Sequence, residues 1–415
     1  MRRVRPGEIR GSIAAPPSKS ATQRAVFLAS LADGESTIAS PSGCDDALAA
    51  IRIAERLGAM ASAEGGNLVV SGKVAKVNGG TLDCGESGFC ARAAIPLAAL
   101  HDAAFRVTGA GTLARRPLGA VEGAMASLGA RCATTDGRVP ASVKGPLLGG
   151  RASIDGSSGS QFLSGLLMAL PSCPEDSELA VSNLKSKPYA RLTLAMAEKF
   201  GAKVECDREL TTFAVPGGQS LSAAKVRVEG DWSSAAFLLA AGALAGSVKV
   251  GNLDLDSEQA DRAIVVALKS AGAKVKALRG SVSVESAELD GFEFDASDCP
   301  DLFPPLAALA TGCVGESAFS GASRLRGKET DRAAALVRQL GSMGANVRLV
   351  GDRLVVRGGK LTGGAVDPEG DHRIAMACAV AGLVSGKGVS IKGAECVSKS
   401  YPGFFDDLQS LVVVR

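Results

Sequence analysis

Two kinds of hydrophobic pattern alternate along the chain, and both recur at a nearly constant interval. The first is an amphipathic helical pattern that ends at Gly-Ala and is followed by two alternating strand patterns. It occurs five times, at Gly58, Gly129, Gly201, Gly272 and Gly344, with separations of 71, 72, 71 and 72 residues. Glycine at this place is typical of the left-handed residue that ends a helix. Each segment therefore predicts a helix, a strand, a turn and a second strand.

The second pattern is a helix that is apolar around most of its circumference, which predicts that it is buried. It occurs six times, at residues 19–32, 86–100, 157–170, 231–244, 298–311 and 371–384. All six stretches begin with polar or charged residues, and a short strand pattern follows each of them. One repeating unit of about 71 residues is therefore roughly helix, strand, helix, strand, strand.

The repeats also predict the domain organisation. A chain of 415 residues is too long for one ordinary core, and six units divide naturally into two domains of three. The sixth unit is truncated at 404–415, and we expect its missing strand to come from EIRGSIAA at 8–15. The domain that holds both termini would then comprise 1–15 and 228–415, and the inserted domain 16–227, with crossovers near 14–18 and 224–230. A simple stacking of repeats, as in a solenoid, is the alternative.

Composition excludes several classes of function. The net charge is +3 and only 4% of residues are aromatic, so the sequence lacks the basic, base-stacking character of nucleic-acid-binding proteins. The longest apolar run, 235–246, falls short of the about 20 residues that a membrane span needs. No signal peptide is recognisable, and the ten cysteines include no CxxC pair. We expect a reduced, cytoplasmic monomer without a metal site, a nucleic-acid partner or a membrane partner.

Candidate functional residues occur at the starts of the six apolar helices. A helix N-terminus binds anions, and six of them, three per domain, could face one interdomain cleft. The residues at these starts are Lys19, Ser20, Arg24, Gly88, Arg92, Ser158, Ser160, Gln161, Asp231, Ser233, Asp298, Asp301, Asp371, His372 and Arg373. Connecting segments add Arg115, Arg116, Ser186, Tyr189, Arg191, Arg324, Arg326, Lys328, Glu329, Arg332 and Lys399. One such cation alone is typical of a solvated surface, but their shared position in the repeat favours a site for a polyanionic ligand.

Ten motifs follow one another along the chain in this order: PSKSATQR, SGFCAR, RRPLGAV, GSQFLSGLLMALP, SKPYARLT, VEGDWSSAAFLLAA, DCPDLFPPLAALA, KETDR, DHRIAMACAVAGL and KSYPGFFDDL. The chain thereby resembles the 5-enolpyruvylshikimate-3-phosphate synthases over essentially its full length. The resemblance implies an α/β fold of two similar domains, each with three βαβαββ units, buried parallel helices and outer four-stranded sheets. It also implies transfer of the enolpyruvyl group from phosphoenolpyruvate to the 5-hydroxyl of shikimate 3-phosphate, with no metal or organic cofactor.

The resemblance assigns roles to residues that match the family's motifs. Shikimate 3-phosphate would be held by Lys19, Ser20, Arg24, Ser160, Gln161, Ser186, Tyr189, Asp301 and Lys328, with extra contacts from Ser158 and Arg324. Phosphoenolpyruvate would be surrounded by Lys19, Gly88, Arg116, Gln161, Glu329, Arg332, His372, Arg373 and Lys399. Two substrates with two phosphates and two carboxylates require many cations, which agrees with these residue types.

The reaction also needs proton transfers. The 5-hydroxyl is a poor nucleophile, and we expect Asp301 to be its base. Glu329 is the candidate acid and base for the methylene carbon, with Lys399 or Lys19 sharing that work. His372 would hydrogen-bond the leaving phosphate or Glu329. The sequence leaves open which group moves which proton.

Three departures from the family's pattern raise questions. Glu86-Ser87-Gly88-Phe89 replaces the common Asn-Ala-Gly-Thr, Gly159 replaces a serine that usually binds the shikimate phosphate, and Arg324 replaces a common Asn. If Glu86 or Phe89 intrudes on the pocket, we expect reduced sensitivity to glyphosate, an inhibitor of this family.

Two rival functions stay open. The sister enzyme that transfers enolpyruvate to a UDP-amino sugar uses a Lys-Asn pair and a loop cysteine, whereas this chain has Lys19-Ser20 and places Cys90 in a predicted helix. The other rival is a non-catalytic anion-binding relative, against which Asp301, Glu329 and Lys399 argue. Because the expected ligand cations come from both halves of the chain, we also expect the domains to close on shikimate 3-phosphate.

Overall fold

The computed structural model describes residues 1–413. The chain forms two compact units. One comprises Met1–Pro16 and the chain from Glu229 onward, and the other is the inserted stretch Pro17–Val228. The last two residues of the predicted sixth repeat, 414 and 415, lie outside the described part of the chain.

Helices alternate between buried and half-exposed types along the chain. Over residues 1–413 the α-helices are α1 Lys19–Leu31, α2 Asp45–Arg56, α3 Gly88–Ala98, α4 Val121–Ser127, α5 Gln161–Ala169, α6 Lys187–Lys199, α7 Trp232–Ala245, α8 Ile264–Ser270, α9 Phe303–Ala310, α10 Arg332–Ser342, α11 His372–Gly382 and α12 Phe404–Ser410. The odd-numbered helices are the six apolar ones that the sequence predicts. No helix in this part of the chain has both the length and the apolar character needed to span a bilayer.

The strands are short and separate these helices. Over the same residues they are β1 Arg2–Val4, β2 Ile9–Ala14, β3 Glu35–Ala39, β4 Met60–Glu64, β5 Asn67–Ser71, β6 Gly80–Asp83, β7 Ala104–Thr108, β8 Arg131–Thr135, β9 Arg138–Lys144, β10 Gly150–Asp155, β11 Ser177–Ser182, β12 Glu205–Cys206, β13 Thr212–Val215, β14 Lys225–Arg227, β15 Gly246–Leu253, β16 Lys274–Leu278, β17 Gly280–Glu285, β18 Glu293–Asp295, β19 Glu316–Ser320, β20 Asn346–Val350, β21 Arg353–Arg357, β22 Gly364–Val366 and β23 Val389–Ile391.

One sheet design recurs in both units. In the order β6-β7-β9-β8, the two strands that flank a buried helix pair in parallel, and the hairpin that follows adds two antiparallel strands. Within residues 1–413 five sheets have four strands, and the sixth, β1-β23-β22, has three. The predicted α/β repeat fold is therefore confirmed, with one sheet a strand short of the expected four.

The predicted place of the N-terminal strand was wrong by two repeats. Residues 9–14, in β2, pair in parallel with β15 of the fourth repeat, and β1 is the N-terminal strand that joins the sixth repeat, through β23. The reason lies in β14, which precedes α7 in the chain but pairs in parallel with β3 of the first repeat. The position beside β15 that a local strand would occupy is therefore filled by β2.

The glycines that set the repeat have the predicted conformation. The φ angles of Gly58, Gly129, Gly201, Gly272 and Gly344 lie at 94°, 90°, 81°, 85° and 95°, in the left-handed region. An L-residue is strained there, so glycine ends each half-exposed helix at low cost and turns the chain into the next strand or loop.

The six apolar helices lie inside the two units. α3 and α11 are buried at every residue, and so is α9. α3 packs against α5, where a Cβ at Gly165 would lie 2.8 Å from the Cα of Ala93, so glycine permits this close approach. Their polar starts serve first as caps, since side-chain oxygens of Ser18, Ser87, Asp231 and Asp371 accept hydrogen bonds from backbone N–H groups of the first turns.

Candidate active site

Within the inserted unit, Lys19 lies in the first turn of α1 and is oriented by an acidic partner. Its Nζ lies 3.0 Å from Oδ2 of Asp46, which belongs to the first turn of α2. Both side chains are largely buried, with 15% and 8% of their surface exposed. The ammonium group is thus held at the helix start, where the α1 dipole also favours an anion.

Arg24, one turn further along α1, is anchored on several sides by the protein. Its Nε donates to Thr193 Oγ1 at 2.7 Å, and its Nη2 donates to the Tyr189 carbonyl oxygen at 3.2 Å and to Ser164 Oγ at 3.4 Å. The guanidinium carbon lies 4.4 Å from the centre of the Phe89 ring, a cation–π contact. Burial lowers the pKa of Arg24 to about 10, and Tyr189 acts in the opposite direction. Arg24 therefore stays charged at neutral pH and ties α1 to α5 and α6.

A second group of cations lies at the start of α3. A Cβ built on Gly88 would lie 2.8 Å from Nη2 of Arg116, so the Arg116 guanidinium rests directly on that glycine. Arg92 donates from Nη1 to the Gly88 carbonyl oxygen and to Gln161 Oε1, both at 2.9 Å. Burial and the charge of Arg116 lower the pKa of Arg92 to about 9. Two neighbouring guanidinium groups at a helix N-terminus are typical of an anion site.

The structure explains two of the departures at this helix start. Phe89 is buried in the core, where its ring centre lies 6.2 Å from that of Phe27. The half-buried Glu86 accepts hydrogen bonds from the backbone nitrogen of Thr112 at 2.9 Å and from its hydroxyl at 2.6 Å. Cys90 lies inside α3, as predicted. The effect of this segment on glyphosate sensitivity stays a prediction.

The predicted hydroxyl residues divide by exposure. Ser160 directly precedes α5 and is buried, and Ser186 precedes α6 with a left-handed backbone, φ 57°. Ser158 ends a short 3-10 helix, Gly156–Ser158, and is exposed. Gly159 has φ 127°, a conformation that a serine would adopt only with strain, which accounts for glycine at this place.

In the unit that holds both termini, Arg332 is the centre of an ionic network. Its side chain is 1% exposed, with Nε 2.9 Å from Oδ2 of Asp371 and Nη1 2.8 Å from Oδ1 of Asp301. Its Nη2 donates to the carboxylate of Glu329. Burial alone would lower the pKa of Arg332, but Asp371, Glu329 and Asp301 outweigh it and raise that pKa.

Asp301 faces three cations. Besides Arg332, its carboxylate lies 3.1 Å from Nη2 of Arg373 and 3.4 Å from Nζ of Lys328. Burial alone would raise the pKa of Asp301, but Arg373, Lys328 and Arg332 together hold it well below its ordinary value. Asp301 is therefore ionised at neutral pH.

Glu329 stands between two cations of the same network. Its second oxygen, Oε1, lies 3.4 Å from Nζ of Lys399, which is 7% exposed on the 3-10 helix Ala394–Lys399. His372 is buried at the first position of α11, with Nδ1 4.0 Å from Oδ1 of Asp371. Burial lowers the pKa of Arg324, and the negative charges of Asp298 and Asp301 oppose that effect. Arg324 therefore interacts electrostatically with Asp301 of the same network.

The structure therefore brings most predicted residues together within each unit. In the inserted unit, contacts join the starts of α1, α3 and α5, and in the other unit Asp301, Lys328, Glu329, Arg332, Asp371, Arg373 and Lys399 form one network. Sequence reasoning missed several polar partners, among them Asp46, Thr193 and Asp261. Asp46 lies in the first turn of α2, where an acidic side chain interacts favourably with the helix dipole.

Asp261 is the most unusual of these partners. It lies on the 3-10 helix Ala260–Ala263, its side chain is inaccessible to solvent, and Ser233 Oγ hydrogen-bonds to its Oδ2. Burial, and then the negative charge of Asp301, raise the pKa of Asp261 to about 6, whereas Arg373 opposes that rise. A buried carboxyl group with a raised pKa therefore adjoins the network.

The chain is similar to known proteins over nearly its whole length. Residues 4–408 match the family model of EPSP synthase (3-phosphoshikimate 1-carboxyvinyltransferase). The 3-phosphoshikimate 1-carboxyvinyltransferase of Thermococcus kodakarensis is 43% identical over 411 residues, which cover 99% of each chain. That of Clostridium perfringens is 37% identical, with 98% of this chain and 97% of the relative covered.

Solved structures show the same fold. The EPSP synthase of Acinetobacter baumannii superposes with a TM-score of 0.83 over 99% of this chain and 98% of that one, at 24% sequence identity. The family model and the close relatives span nearly the whole chain, so the resemblance expected from the sequence motifs is confirmed, and the chain belongs to the EPSP synthase family.

Proposed function

We infer that this protein is a 3-phosphoshikimate 1-carboxyvinyltransferase, which transfers the enolpyruvyl group of phosphoenolpyruvate to the 5-hydroxyl of shikimate 3-phosphate and releases phosphate. The observation that carries this inference is the 43% identity to an enzyme of that name over 99% of both chains. The two groups of buried and half-buried cations agree with substrates that carry phosphates and carboxylates. The product belongs to the shikimate pathway and to aromatic amino acid biosynthesis.

The inserted unit would supply most of the contacts to shikimate 3-phosphate. We assign these to Lys19, Ser20, Arg24, Ser158, Ser160, Gln161, Ser186 and Tyr189, with Asp301, Arg324 and Lys328 from the other unit. Phosphoenolpyruvate would be held by Lys19, Gly88, Arg116, Gln161, Glu329, Arg332, His372, Arg373 and Lys399. The fixed guanidinium groups of Arg116 and Arg332 support this assignment, because they are oriented before a ligand arrives.

Asp301 would accept the proton of the 5-hydroxyl. In the resting protein this carboxylate is stabilised by three cations, which weakens it as a base. Anionic substrates would draw Lys328 and Arg373 toward themselves, and the pKa of Asp301 would rise toward the range a base needs. Substrate binding would thus activate the base.

Glu329 would exchange a proton with the methylene carbon of phosphoenolpyruvate. Its contacts with Arg332 and Lys399 hold the carboxylate in one place, and Lys399 or Lys19 would share the proton transfer. Protonation of that carbon allows the 5-oxygen to attack the neighbouring carbon and gives a tetrahedral intermediate. The methyl group formed in this way would then lose a proton as phosphate departs, which completes the transfer. His372 would hydrogen-bond the phosphate or Glu329.

Phosphate release is the decisive assay. We expect release only when shikimate 3-phosphate and phosphoenolpyruvate are both present, and an enol ether product by NMR. Release with a UDP-amino sugar in place of shikimate 3-phosphate would favour the sister transferase. Binding of both substrates without release would favour a non-catalytic relative.

We further propose that the enzyme works as a monomer in the cytoplasm. The ten cysteines are thiols in the structure and form no disulfide among residues 1–413, which is typical of a reducing compartment. Light scattering of the purified protein would test the oligomeric state.

A further inference from the structure

Glu86 joins two loops of the inserted unit. It lies in the segment between β6 and α3, and its Oε2 accepts hydrogen bonds from the nitrogen and the hydroxyl of Thr112. Close by, the nitrogen of Ala110 donates to the Gly85 carbonyl oxygen at 2.8 Å. The segment before α3 is therefore bonded to the turn at residues 109–118, which carries Arg116.

The turn is shaped to receive the Glu86 side chain. Gly111 has φ 53°, and a Cβ at that position would lie 2.5 Å from both Cδ and Oε1 of Glu86. Only glycine leaves this space open, so the carboxylate fills a volume that any other residue would occupy.

The far end of the same turn is held by a second charged residue. Arg92 donates from Nε to the Leu118 carbonyl oxygen at 3.2 Å and from Nη2 to that of Pro117. Arg116 lies between these two attachment points. Only 8% of its surface is exposed, and its guanidinium group contacts Gly88. The position of the Arg116 guanidinium therefore depends on a backbone that Glu86 fixes at one end and Arg92 at the other.

We propose that Glu86 is a positioning residue for phosphoenolpyruvate: through Thr112 it fixes the turn that presents Arg116, and it thereby raises affinity for that substrate. The proposal rests on the proposed function and on the assignment of Arg116 to phosphoenolpyruvate. It opposes the simplest electrostatic expectation, in which a carboxylate beside an anion pocket repels the substrate. The two interpretations predict opposite signs, because removal of a repelling charge would tighten binding and removal of a positioning group weakens it.

The test compares Glu86→Ala, Glu86→Gln and Thr112→Val with wild type. We expect Glu86→Ala to raise the KM for phosphoenolpyruvate by about five- to fiftyfold, as befits loss of charge-assisted hydrogen bonds. Glu86→Gln keeps an acceptor oxygen and should show a smaller rise. Thr112→Val removes only one of the two hydrogen bonds that Glu86→Ala removes, so it should raise this KM less, and the double variant should resemble Glu86→Ala alone. The KM for shikimate 3-phosphate should change less than twofold in every variant.

The chain offers a matched control. Glu122 accepts hydrogen bonds from the nitrogen and the hydroxyl of Thr134 in the same pattern, on the exposed surface of the same unit. Glu122→Ala should leave both KM values as in wild type. The proposal is overturned if Glu86→Ala leaves the KM for phosphoenolpyruvate unchanged or lowers it, if both substrates are affected equally, or if Glu122→Ala has the same effect.

A second measurement separates this proposal from the proposed function. Hydrogen exchange of the peptide that spans residues 109–118 should quicken at least threefold in Glu86→Ala and stay unchanged in Glu122→Ala. If wild type lacks the transferase activity, the proposed function fails, and the positioning role is then judged by this exchange. Unchanged exchange in Glu86→Ala would overturn it. A thermal melt confirms that each variant is folded, and Thr112→Val serves if Glu86→Ala is not.

Discussion

Arg332 and Asp371 form an ion pair that is closed to solvent. Nε of Arg332, at the start of α10, lies 2.9 Å from Oδ2 of Asp371, and the exposed fractions of the two side chains are 1% and 0%. Asp371 also caps α11 by accepting a hydrogen bond from the nitrogen of Arg373 at 3.0 Å. One carboxylate therefore fixes both the hub of the ionic network and the helix that carries His372 and Arg373.

Replacement of this buried carboxylate should be costly. Asp371→Asn keeps the shape and can still cap α11, so it removes mainly the charge. We expect the free energy of unfolding to fall by about 3–5 kcal/mol, because the buried Arg332 loses the one carboxylate partner that is fully closed to solvent. Urea unfolding of the purified variant measures this loss.

An exposed pair provides the control. Glu316 and Arg348 lie 2.7 Å apart, but nearly half of each side chain is exposed. Glu316→Gln should change the free energy of unfolding by less than about 1 kcal/mol, as is usual for exposed ion pairs. Equal losses in the two variants would show that burial does not govern the strength of the Arg332–Asp371 pair.

Much of the fold could be predicted from the sequence, because its signals are local. The left-handed glycines, such as Gly58 and Gly344, end helices through their own backbone freedom, and apolar runs define buried helices without reference to distant residues. The grouping of Arg332 with Glu329 was also accessible, since both belong to one motif, KETDR.

The pairing of distant segments could not be predicted in the same way. The strands involved are short, from three to eight residues, so their own sequences do not indicate that β2 pairs with β15 and β14 with β3. Partners such as Thr193 for Arg24 or Asp261 for Ser233 depend on how helices are rotated against one another. Those rotations are decided by packing over a whole unit, which no single motif encodes.

Asp261 should make stability depend on pH in the direction opposite to that of most carboxylates. In the folded protein the pKa of Asp261 is raised to about 6. Burial and the negative charges of Asp301 and Asp231 raise this pKa, whereas Arg373 and the hydrogen bond from Ser233 lower it. Because this pKa is raised, Asp261 contributes its full stability only below the pKa of the unfolded chain, near 3.8. That contribution is lost as the pH rises through 6. Relative to Asp261→Asn, wild type should lose about 2 kcal/mol between pH 4 and pH 7.

Urea unfolding of both proteins at pH 4, 5, 6 and 7 measures this difference, and a constant difference would contradict it. Asp207 supplies a control of opposite sign. Hydrogen bonds from Thr212 and Thr211 lower its pKa to about 2, so its contribution is present above the unfolded value and is lost only as pH falls through 2. Asp207→Asn should therefore be less stable than wild type at pH 7, and that difference should shrink toward pH 3.

Asp301 and Glu329 should govern turnover more than binding. Asp301→Asn and Glu329→Gln keep side-chain shape and remove the ability to accept a proton, so we expect kcat to fall by about 10²–10⁴. Steady-state kinetics with both substrates varied should show KM changes of less than about tenfold. Glu369, which pairs with Arg338 on the surface of the same unit, is the control, and Glu369→Gln should retain full activity. Near-normal turnover in either test variant would remove that residue from the mechanism.

Gly88 should be required for the placement of Arg116. A methyl group at this position would lie 2.8 Å from Nη2 and 2.9 Å from Cζ of Arg116, so the guanidinium must move in Gly88→Ala. We expect the KM for phosphoenolpyruvate to rise about tenfold, the cost of weakening one charge-assisted contact, with little change for shikimate 3-phosphate. A methyl group on Gly123, in α4, would instead point into open space, with no neighbouring atom within 4 Å. Gly123→Ala should leave both KM values unchanged and add about 0.5–1 kcal/mol of stability, as alanine does within a helix. A wild-type KM for phosphoenolpyruvate in Gly88→Ala would show that this substrate does not depend on where Arg116 lies.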